Sequence, residues 1–233
     1  MSKYTVEIYE MIQRNKVKKE YENLLVSEWF ATYITELCGN LKASTIGSYQ
    51  QTVRNHINRV LGEIQLKDIS SEVLQFFIKV LKNGDEHTDP LSAKSIKNIY
   101  GVLHKGLSMA HKLGYMAADI TEMMVVLPRT RQAEITPLTN DEISALLAHI
   151  KGSQYQLIIT TAIFTGMRES ELLGLQWSDI DFSSGKINVT RQLTRNKLTN
   201  QFCLTSLKSN RPRSIKPAVF LIEELKRAYN GVR

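Results

Sequence analysis

An arginine and a glutamate three positions apart are the first residues that could bind an anion. Arg168 follows the pair Thr165-Gly166, where a helix is expected to begin, and Glu171 lies three residues further on. A guanidinium can donate two parallel hydrogen bonds to phosphate oxygens, and a carboxylate on the same helix face can orient it. On spacing alone, however, an ordinary surface ion pair is the simpler interpretation.

A second chemical feature is a basic stretch without acidic residues. Residues 186–216 include eight lysines and arginines and no Asp or Glu. Alternating apolar and polar residues predict short strands here, and a basic hairpin suits a DNA backbone because each neutralised phosphate releases counterions. The alternative is a solvated ribbon whose cations discourage pairing between sheet edges. The predicted DNA contacts on this stretch are Arg191, Arg195, Arg211 and Arg213.

Two helices in the first half of the chain have polar faces that suit the same partner. Apolar residues at helical spacing over 46–60 and 96–110 predict buried stripes, with Ser44 or Thr45 as the start of the first helix. The opposite faces combine phosphate-binding cations with amides that can read base edges, although an ordinary solvated face has a similar composition. The predicted contacts are Lys42, Ser44, Thr45, Gln51, Arg54, Asn55, Arg59, Lys94, Lys97, Asn98 and Lys105.

The elements that must position these residues form two units. Residues 24–122 predict an all-helical domain, preceded by an N-terminal stub over 1–23. Residues 123–138 contain two prolines and no helical period, so we expect an interdomain linker, whose Arg129 and Arg131 are further predicted DNA contacts. The second unit, 139–233, is expected to combine helices at 140–150, 155–165, 169–176 and 218–229 with strands at 180–182, 186–193 and 202–207.

Composition limits the partner and the compartment. Lys and Arg number 30 against 23 Asp and Glu, so the net charge is +7, which suits either a nucleic-acid partner or a merely basic protein. The two cysteines form no disulfide framework and no Cys/His spacing fits zinc, so neither a metal nor a cofactor is expected. The polar N-terminus is unlike a signal peptide and no apolar run is long enough to span a bilayer, which predicts a cytoplasmic protein without a membrane partner.

The arginine segment resembles a known motif. Residues 165–181, TGMRESELLGLQWSDID, are similar to the first arginine box of the tyrosine recombinases, the phage-integrase family. Residues 41–62 and 91–115 resemble the family's core-binding domain, and 207–215 resemble its β-hairpin lysine segment. The resemblance implies a mainly α fold: an N-terminal SAM-like core-binding domain followed by an α+β catalytic domain with a small antiparallel sheet.

The resemblance also implies a chemistry. In this family a tyrosine attacks a DNA phosphate and forms a phosphotyrosyl link, without a metal. Arg168 matches the first phosphate-clamping arginine, Glu171 matches the acid that holds the site together, and Lys208 matches the general acid that protonates the leaving oxygen. The implied partners are double-stranded DNA at a recombination site and other integrase protomers on it.

Three parts of the family's site have no counterpart at the expected positions beyond Lys208: the His-x-x-Arg box, a further His or Trp, and the nucleophilic Tyr. The His-x-x-Arg string at 56–59 precedes Arg168 instead of following it, and Tyr229 lies too close to Lys208 to match the nucleophile. We therefore expect a C-terminally truncated catalytic domain that does not cleave DNA alone. Its helices over 140–176 should expose apolar surface. The alternatives are a non-enzymatic module that occupies a recombination site and competes with full-length integrase, or a decayed fragment without a role.

Overall fold

The first of two compact units is all-helical. The computed structural model describes residues 23–86, 88–130, 136–196 and 200–231, and the chain divides into residues 1–132 and 133–233. The first unit contains α1 (Val26–Thr32), α2 (Ala43–Thr52), α3 (Asn58–Leu61), α4 (Ser71–Asn83) and α5 (Ala93–Lys112). A π-helical turn, Tyr33–Leu37, follows α1, and another, Val53–Ile57, joins α2 to α3.

Side-chain caps mark the starts of two of these helices, α4 and α5. The Ser70 hydroxyl accepts a hydrogen bond from the backbone N–H of Val73 at the start of α4, and Ser92 does the same for Ser95 at the start of α5. The expected start of α2 at Ser44 or Thr45 is wrong. The helix begins at Ala43, after an extended Lys42 whose side chain makes no cap, and Thr45 donates its backbone N–H to the Lys42 carbonyl.

The core of the first unit confirms the apolar stripes. Ile57, Ile96 and Leu103 are fully buried, together with Trp29 of α1. The Trp29 indole N–H donates to the Gly106 carbonyl at 3.0 Å, which fixes α1 against α5. Gly47 of α2 is buried as well.

The start of the expected linker packs on the first unit. Val126 and Gln75 exchange two hydrogen bonds, with the Val126 N–H donating at 2.8 Å and its carbonyl accepting at 3.3 Å. Met123, Val125 and Leu127 lie partly buried against the helical core. Residues 123–127 can pack in this way because their apolar side chains alternate and one face can be buried. Arg131 lies outside the described residues.

The second unit combines helices with two small antiparallel sheets. Its helices are α6 (Asn140–His149), α7 (Gln156–Thr165), α8 (Glu169–Leu173) and α9 (Val219–Gly231). Its strands are β1 (Ile180–Asp181), β2 (Lys186–Val189), β3 (Arg191–Arg195), β4 (Phe202–Ser206) and β5 (Arg213–Ile215). Strand β2 lies between β1 and β5, with Val189 opposite Arg213, while β3 and β4 form a separate hairpin.

The structure of the second unit corrects three details of the sequence interpretation. The single strand expected over 186–193 is two strands in different sheets, and β5 was not expected at all. The helix expected over 169–176 ends at Leu173 and is followed by a short 3₁₀ turn, Trp177–Asp179. Strand β5 is three residues long and follows a proline, so its alternation is too short to be recognised.

The second unit buries its helices incompletely, as expected for 140–176. Helix α6 has no buried residue, and Ile158 and Phe164 of the apolar helix α7 are each 39% exposed. A cavity of about 690 Å³ lies beside α7, lined by Leu157, Ile158 and Trp177 among others. The buried cluster is instead built around Ile187 and Leu221, where α9 covers the three-stranded sheet.

Candidate functional site

The turn between α7 and α8 determines where Arg168 points. Gly166 has a left-handed backbone conformation, with φ of 61°, which ends α7 without strain because glycine has no Cβ. Met167 is buried and anchors the turn, and Arg168 is extended immediately before α8. The backbone N–H of Arg168 donates to Glu171 Oε2 at 2.9 Å, so backbone and side chain of Arg168 both depend on this carboxylate.

Glu171 is the buried centre of an arginine cluster. Its side chain is 1% exposed, whereas those of Arg168 and Arg213 are 60% and 36% exposed. Arg168 Nη1 donates to Oε1 at 3.0 Å. Arg213 donates from both terminal nitrogens, to Oε1 at 3.1 Å and to Oε2 at 2.7 Å. We call Arg168, Glu171 and Arg213 the arginine cluster.

The cluster carries a net positive charge, and its Glu171 carboxyl is ionised at neutral pH. Hydrogen bonds from Arg213, followed by those from Arg168, lower the pKa of Glu171 to about 2 against the raising effect of burial. The same carboxylate raises the pKa of Arg213. Two guanidinium groups and one carboxylate leave one net positive charge, and the exposed part of that charge belongs mainly to Arg168. Such a cluster can bind a phosphate oxygen.

Lys208 occupies a tight turn directly after a buried anchor. Leu207 is 1% exposed and its carbonyl accepts the backbone N–H of Asn210 at 3.0 Å. Lys208 is exposed and lies five residues before Arg213, which bounds the Cα separation of the two at about 18 Å. The segment that carries Lys208 therefore returns to the arginine cluster through Arg213, while convergence of Lys208 and Arg168 on one phosphate stays a prediction.

The basic hairpin β3–β4 is packed directly on α8. A Cβ at Gly174 would lie 2.8 Å from the backbone carbonyl carbon of Gln192 and from the backbone nitrogen of Leu193. The Ser170 hydroxyl also donates to the Gln192 side-chain oxygen at 3.3 Å. Glycine at position 174 is therefore required for the close approach of the hairpin to the helix that carries Glu171.

Two arginines of the hairpin have partners within the protein. Arg191 donates to the buried Asp179 at 2.9 Å and also to Gln176, so it braces the turn after α8. Arg195 is exposed, donates to the Asn200 carbonyl at 3.3 Å and stacks on the Phe202 ring. Arg211 is exposed. The DNA contacts predicted at these positions stay predictions, with Arg191 the least accessible of the three.

In the first unit α2 and α5 are in contact. Lys105 of α5 donates to the Tyr49 hydroxyl of α2 at 3.1 Å, so the two helices meet at this point. The predicted contacts that are exposed are Lys42, Ser44, Gln51, Arg54, Asn55, Lys94, Lys97, Asn98, Lys105 and Arg129, and Thr45 is half-buried. Arg59 is engaged instead, in an ion pair with Asp85 and a 3.0 Å hydrogen bond to Thr88.

The remaining family-like residues have partners other than the arginine cluster. The His-x-x-Arg string at 56–59 belongs to the first unit, where Arg59 pairs with Asp85. Tyr229 of α9 packs against Trp177 and Phe182, with ring centroids 5.5 and 5.6 Å away. Within the described ranges, no group of three or more His, Cys, Asp and Glu side chains could hold a metal ion.

The contact of Arg213 with Glu171, which makes it part of the arginine cluster, was not predicted from the sequence. Arg213 was expected only as a DNA contact in the basic stretch, because it is 42 residues from Glu171 along the chain. The available signal was indirect: Arg213 is one of two arginines close behind Lys208 in a segment without acids. Its partner could be found only by knowing that β5 pairs with β2.

Comparisons with known proteins agree with this architecture. A model of the phage integrase family matches residues 136–221, and a model of the phage integrase N-terminal SAM-like domain matches residues 25–82. Along the chain, these matches correspond to a SAM-like helical domain followed by an integrase catalytic domain. The chain belongs to the phage integrase family of tyrosine recombinases, whose members act in DNA integration and recombination. The resemblance found in the sequence is thereby confirmed.

Individual relatives and structures extend over most of the chain. It is 26% identical to a tyrosine recombinase XerC-like protein of Caldanaerobacter subterraneus subsp. tengcongensis over 94% of this chain and 54% of the relative. It is 27% identical to the ICEBs1 integrase of Bacillus subtilis, over 84% and 53%. The fold resembles the Tn1549 transposon integrase solved with circular intermediate DNA, with TM-score 0.74, 22% identity and coverage of 88% and 65%.

The chain spans about half the length of the curated relatives that it matches. In the part of the chain that the structure describes, no helix is both long and apolar enough to cross a bilayer.

Proposed function

We propose that this chain binds double-stranded DNA of a recombination site. The observation that carries the proposal is the arginine cluster, in which a buried carboxylate holds a guanidinium that is 60% exposed. Exposed cations at Arg54 and Lys97 in the first unit, and Arg195 and Arg211 in the second, supply further phosphate contacts. The relatives support this choice of partner, because the Tn1549 integrase was solved in complex with DNA.

Arg168 would clamp the phosphate at which strand exchange takes place. Its guanidinium can donate to two phosphate oxygens, and Glu171 keeps it in place. Lys208 would protonate the leaving 5′-oxygen when the rest of the site is assembled. We further propose that these 233 residues do not cleave DNA by themselves, since Tyr229 is held between Trp177 and Phe182 and the His-x-x-Arg string lies in the first unit.

The binding proposal is tested by the salt dependence of duplex affinity. A fluorescent duplex of random sequence is titrated with the chain at several salt concentrations, and we expect log affinity to fall linearly with log salt. Arg54→Ala plus Lys97→Ala should reduce the slope by about 2, because two phosphate contacts are lost. The matched control is Lys79→Ala plus Lys82→Ala, which removes the same charge from the exposed face of α4. An affinity independent of salt would refute the proposal.

The absence of cleavage is tested separately. The chain is incubated with nicked suicide duplexes, from which a recombinase would leave a stable protein–DNA adduct. We expect no adduct from the unchanged chain and none from Tyr229→Phe. A covalent adduct with the unchanged chain that disappears in Tyr229→Phe would show that the proposal of inactivity is wrong.

A second candidate function is occupation of a recombination site without catalysis. The first unit has its own buried core around Trp29 and Phe30, and its exposed cations do not belong to the arginine cluster. Such a module would compete with a full-length integrase for its site. Adding the chain to a recombination reaction of an active relative should then inhibit it, and Arg54→Ala plus Lys97→Ala should relieve the inhibition.

A further inference from the structure

Glu171 accepts more hydrogen bonds than Arg168 alone could provide. Oε1 accepts from Nη1 of both Arg168 and Arg213, and Oε2 accepts from Arg213 Nη2 and from the Arg168 backbone N–H. Four donors thus serve the two oxygens of one buried carboxylate, and a carboxylate has about four such acceptor positions. Arg213 provides two of these donors.

The hydrogen bonds that Arg213 donates to Glu171 determine how many donors of Arg168 remain available to a ligand. Among contacts of the described residues, Arg168 gives Glu171 one side-chain hydrogen bond, from Nη1. Its Nε and Nη2 hydrogens therefore remain available on a side chain that is 60% exposed. Arg213 contacts the carboxylate with both terminal nitrogens and is 36% exposed, so it faces inward and Arg168 faces outward.

We propose that Arg213 is a positioning residue that neutralises Glu171 and so leaves the Arg168 guanidinium free to bind a DNA phosphate. Without Arg213, the buried carboxylate has Arg168 as its remaining guanidinium partner in the cluster. A bidentate Arg168–Glu171 pair would then form, since a buried ion without compensation is costly. Such a pair has no net charge and would present fewer free donors to a phosphate. This inference rests on the proposed function for the identity of the ligand, DNA. The contacts of Arg168 and Arg213 with Glu171 do not depend on that proposal.

The first test measures the carboxylate directly, without DNA. The ¹³C signal of the Glu171 carboxyl is followed through an acid titration in the unchanged chain, in Arg213→Gln and in Arg227→Gln. Arg227 lies exposed on α9, so its change removes the same charge from the same unit. We expect the Glu171 pKa to rise from about 2 by one or more in Arg213→Gln and to stay in place in Arg227→Gln. An unchanged pKa in Arg213→Gln would overturn the inference.

The second test asks whether Arg213 acts through Arg168. Affinity for a random-sequence duplex is measured for Arg213→Gln, Arg168→Ala and the double variant. We expect Arg213→Gln to weaken binding about tenfold when Arg168 is present and less than threefold when Arg168 is alanine, because residues of one network are not additive. Equal losses in both backgrounds would show Arg213 to be an independent phosphate contact and would overturn its positioning role.

A third variant keeps the inference testable if Arg213→Gln fails to fold. Arg213→Lys retains the positive charge but cannot donate two parallel hydrogen bonds to the carboxylate. We expect an intermediate Glu171 pKa and an intermediate affinity, and values equal to those of the unchanged chain would count against the bidentate contact. If the unchanged chain does not bind DNA, the proposed function fails while the titration still decides the role of Arg213. If DNA is bound but the titrations coincide, the inference alone fails.

Discussion

Replacing Glu171 by glutamine should remove a buried, acid-sensitive contact of the second unit. The substitution keeps the size of the side chain and removes its charge. The glutamine can still accept on one oxygen, but its NH₂ group would face Arg168 or Arg213, where the carboxylate oxygen now accepts. Two guanidinium groups then lie together with no carboxylate between them.

The size of the effect follows from the pKa of Glu171. Lowering that pKa from 4.5 to about 2 corresponds to at most about 3 kcal/mol of folding free energy. Because Arg168 is 60% and Arg213 36% exposed, water weakens both ion pairs, and we expect a loss of about 2 kcal/mol at pH 7. A carboxyl whose pKa is lower in the folded state stabilises above its unfolded pKa, and this contribution disappears as the pH falls from about 5 to 2.

Denaturant unfolding at several pH values between 2 and 7 measures this contribution. Hydrogen exchange of peptides from 160–180 assigns the change to the second unit. Hydrogen bonds from Ser183 and Ser184 also lower the pKa of Asp181, so part of the acid sensitivity is common to both proteins. The informative quantity is therefore the difference between the unchanged chain and Glu171→Gln, which should shrink from about 2 kcal/mol at pH 7 towards zero near pH 2.

The matched control is Glu223→Gln, an exposed carboxyl on α9 whose loss should change stability by less than about 0.5 kcal/mol. The reasoning is refuted if Glu171→Gln unfolds with the same free energy as the control at pH 7. It is also refuted if the difference between Glu171→Gln and the unchanged chain does not depend on pH, because the charge of Glu171 would then contribute nothing.

Three further substitutions probe the frame around the site by denaturant unfolding. Arg191→Met should cost about 3 kcal/mol, because it leaves the buried carboxylate of Asp179 without its guanidinium; Asp179→Asn with Arg191→Met should recover part of the loss. Gly174→Ala should cost about 1–3 kcal/mol, since the new Cβ would lie 2.8 Å from the Gln192 backbone, and an equal stability would disprove the close approach. Thr139→Ala should cost about 1 kcal/mol through the lost N-cap of α6, and Thr139→Ser should not.

The helices of the first unit could be predicted from the sequence because their patterns are local. Ser70 and Ser92 mark helix starts, and the two buried stripes that contain Ile57 and Ile96 each repeat every three or four residues. Each of these signals comes from residues that are close together in the sequence. The start of α2 was misplaced for the same reason, since Ser44 and Thr45 look like caps and the helix extends one or two residues beyond them.

The second unit was harder to predict because its decisive contacts join distant segments. Strand β5 exists through its pairing with β2, and Arg213 finds Glu171 across 42 residues. Likewise Arg191 meets Asp179 only because the chain turns after α8. Spacing predicted the Arg168–Glu171 contact correctly, since three residues separate the two, but a pattern in one sequence cannot reveal which other cation shares the carboxylate.

The absent side chain at Gly174 has a mechanical consequence. Backbone meets backbone there, so at Gly174 no flexible side chain lies between the hairpin and the end of α8 to absorb relative motion. On a duplex contacted as proposed, the span between the phosphate under Arg168 and the phosphates under the hairpin is then set by the polypeptide scaffold. The second unit would therefore hold these phosphates at a fixed spacing. DNA of a different helical pitch would have to deform in order to bind.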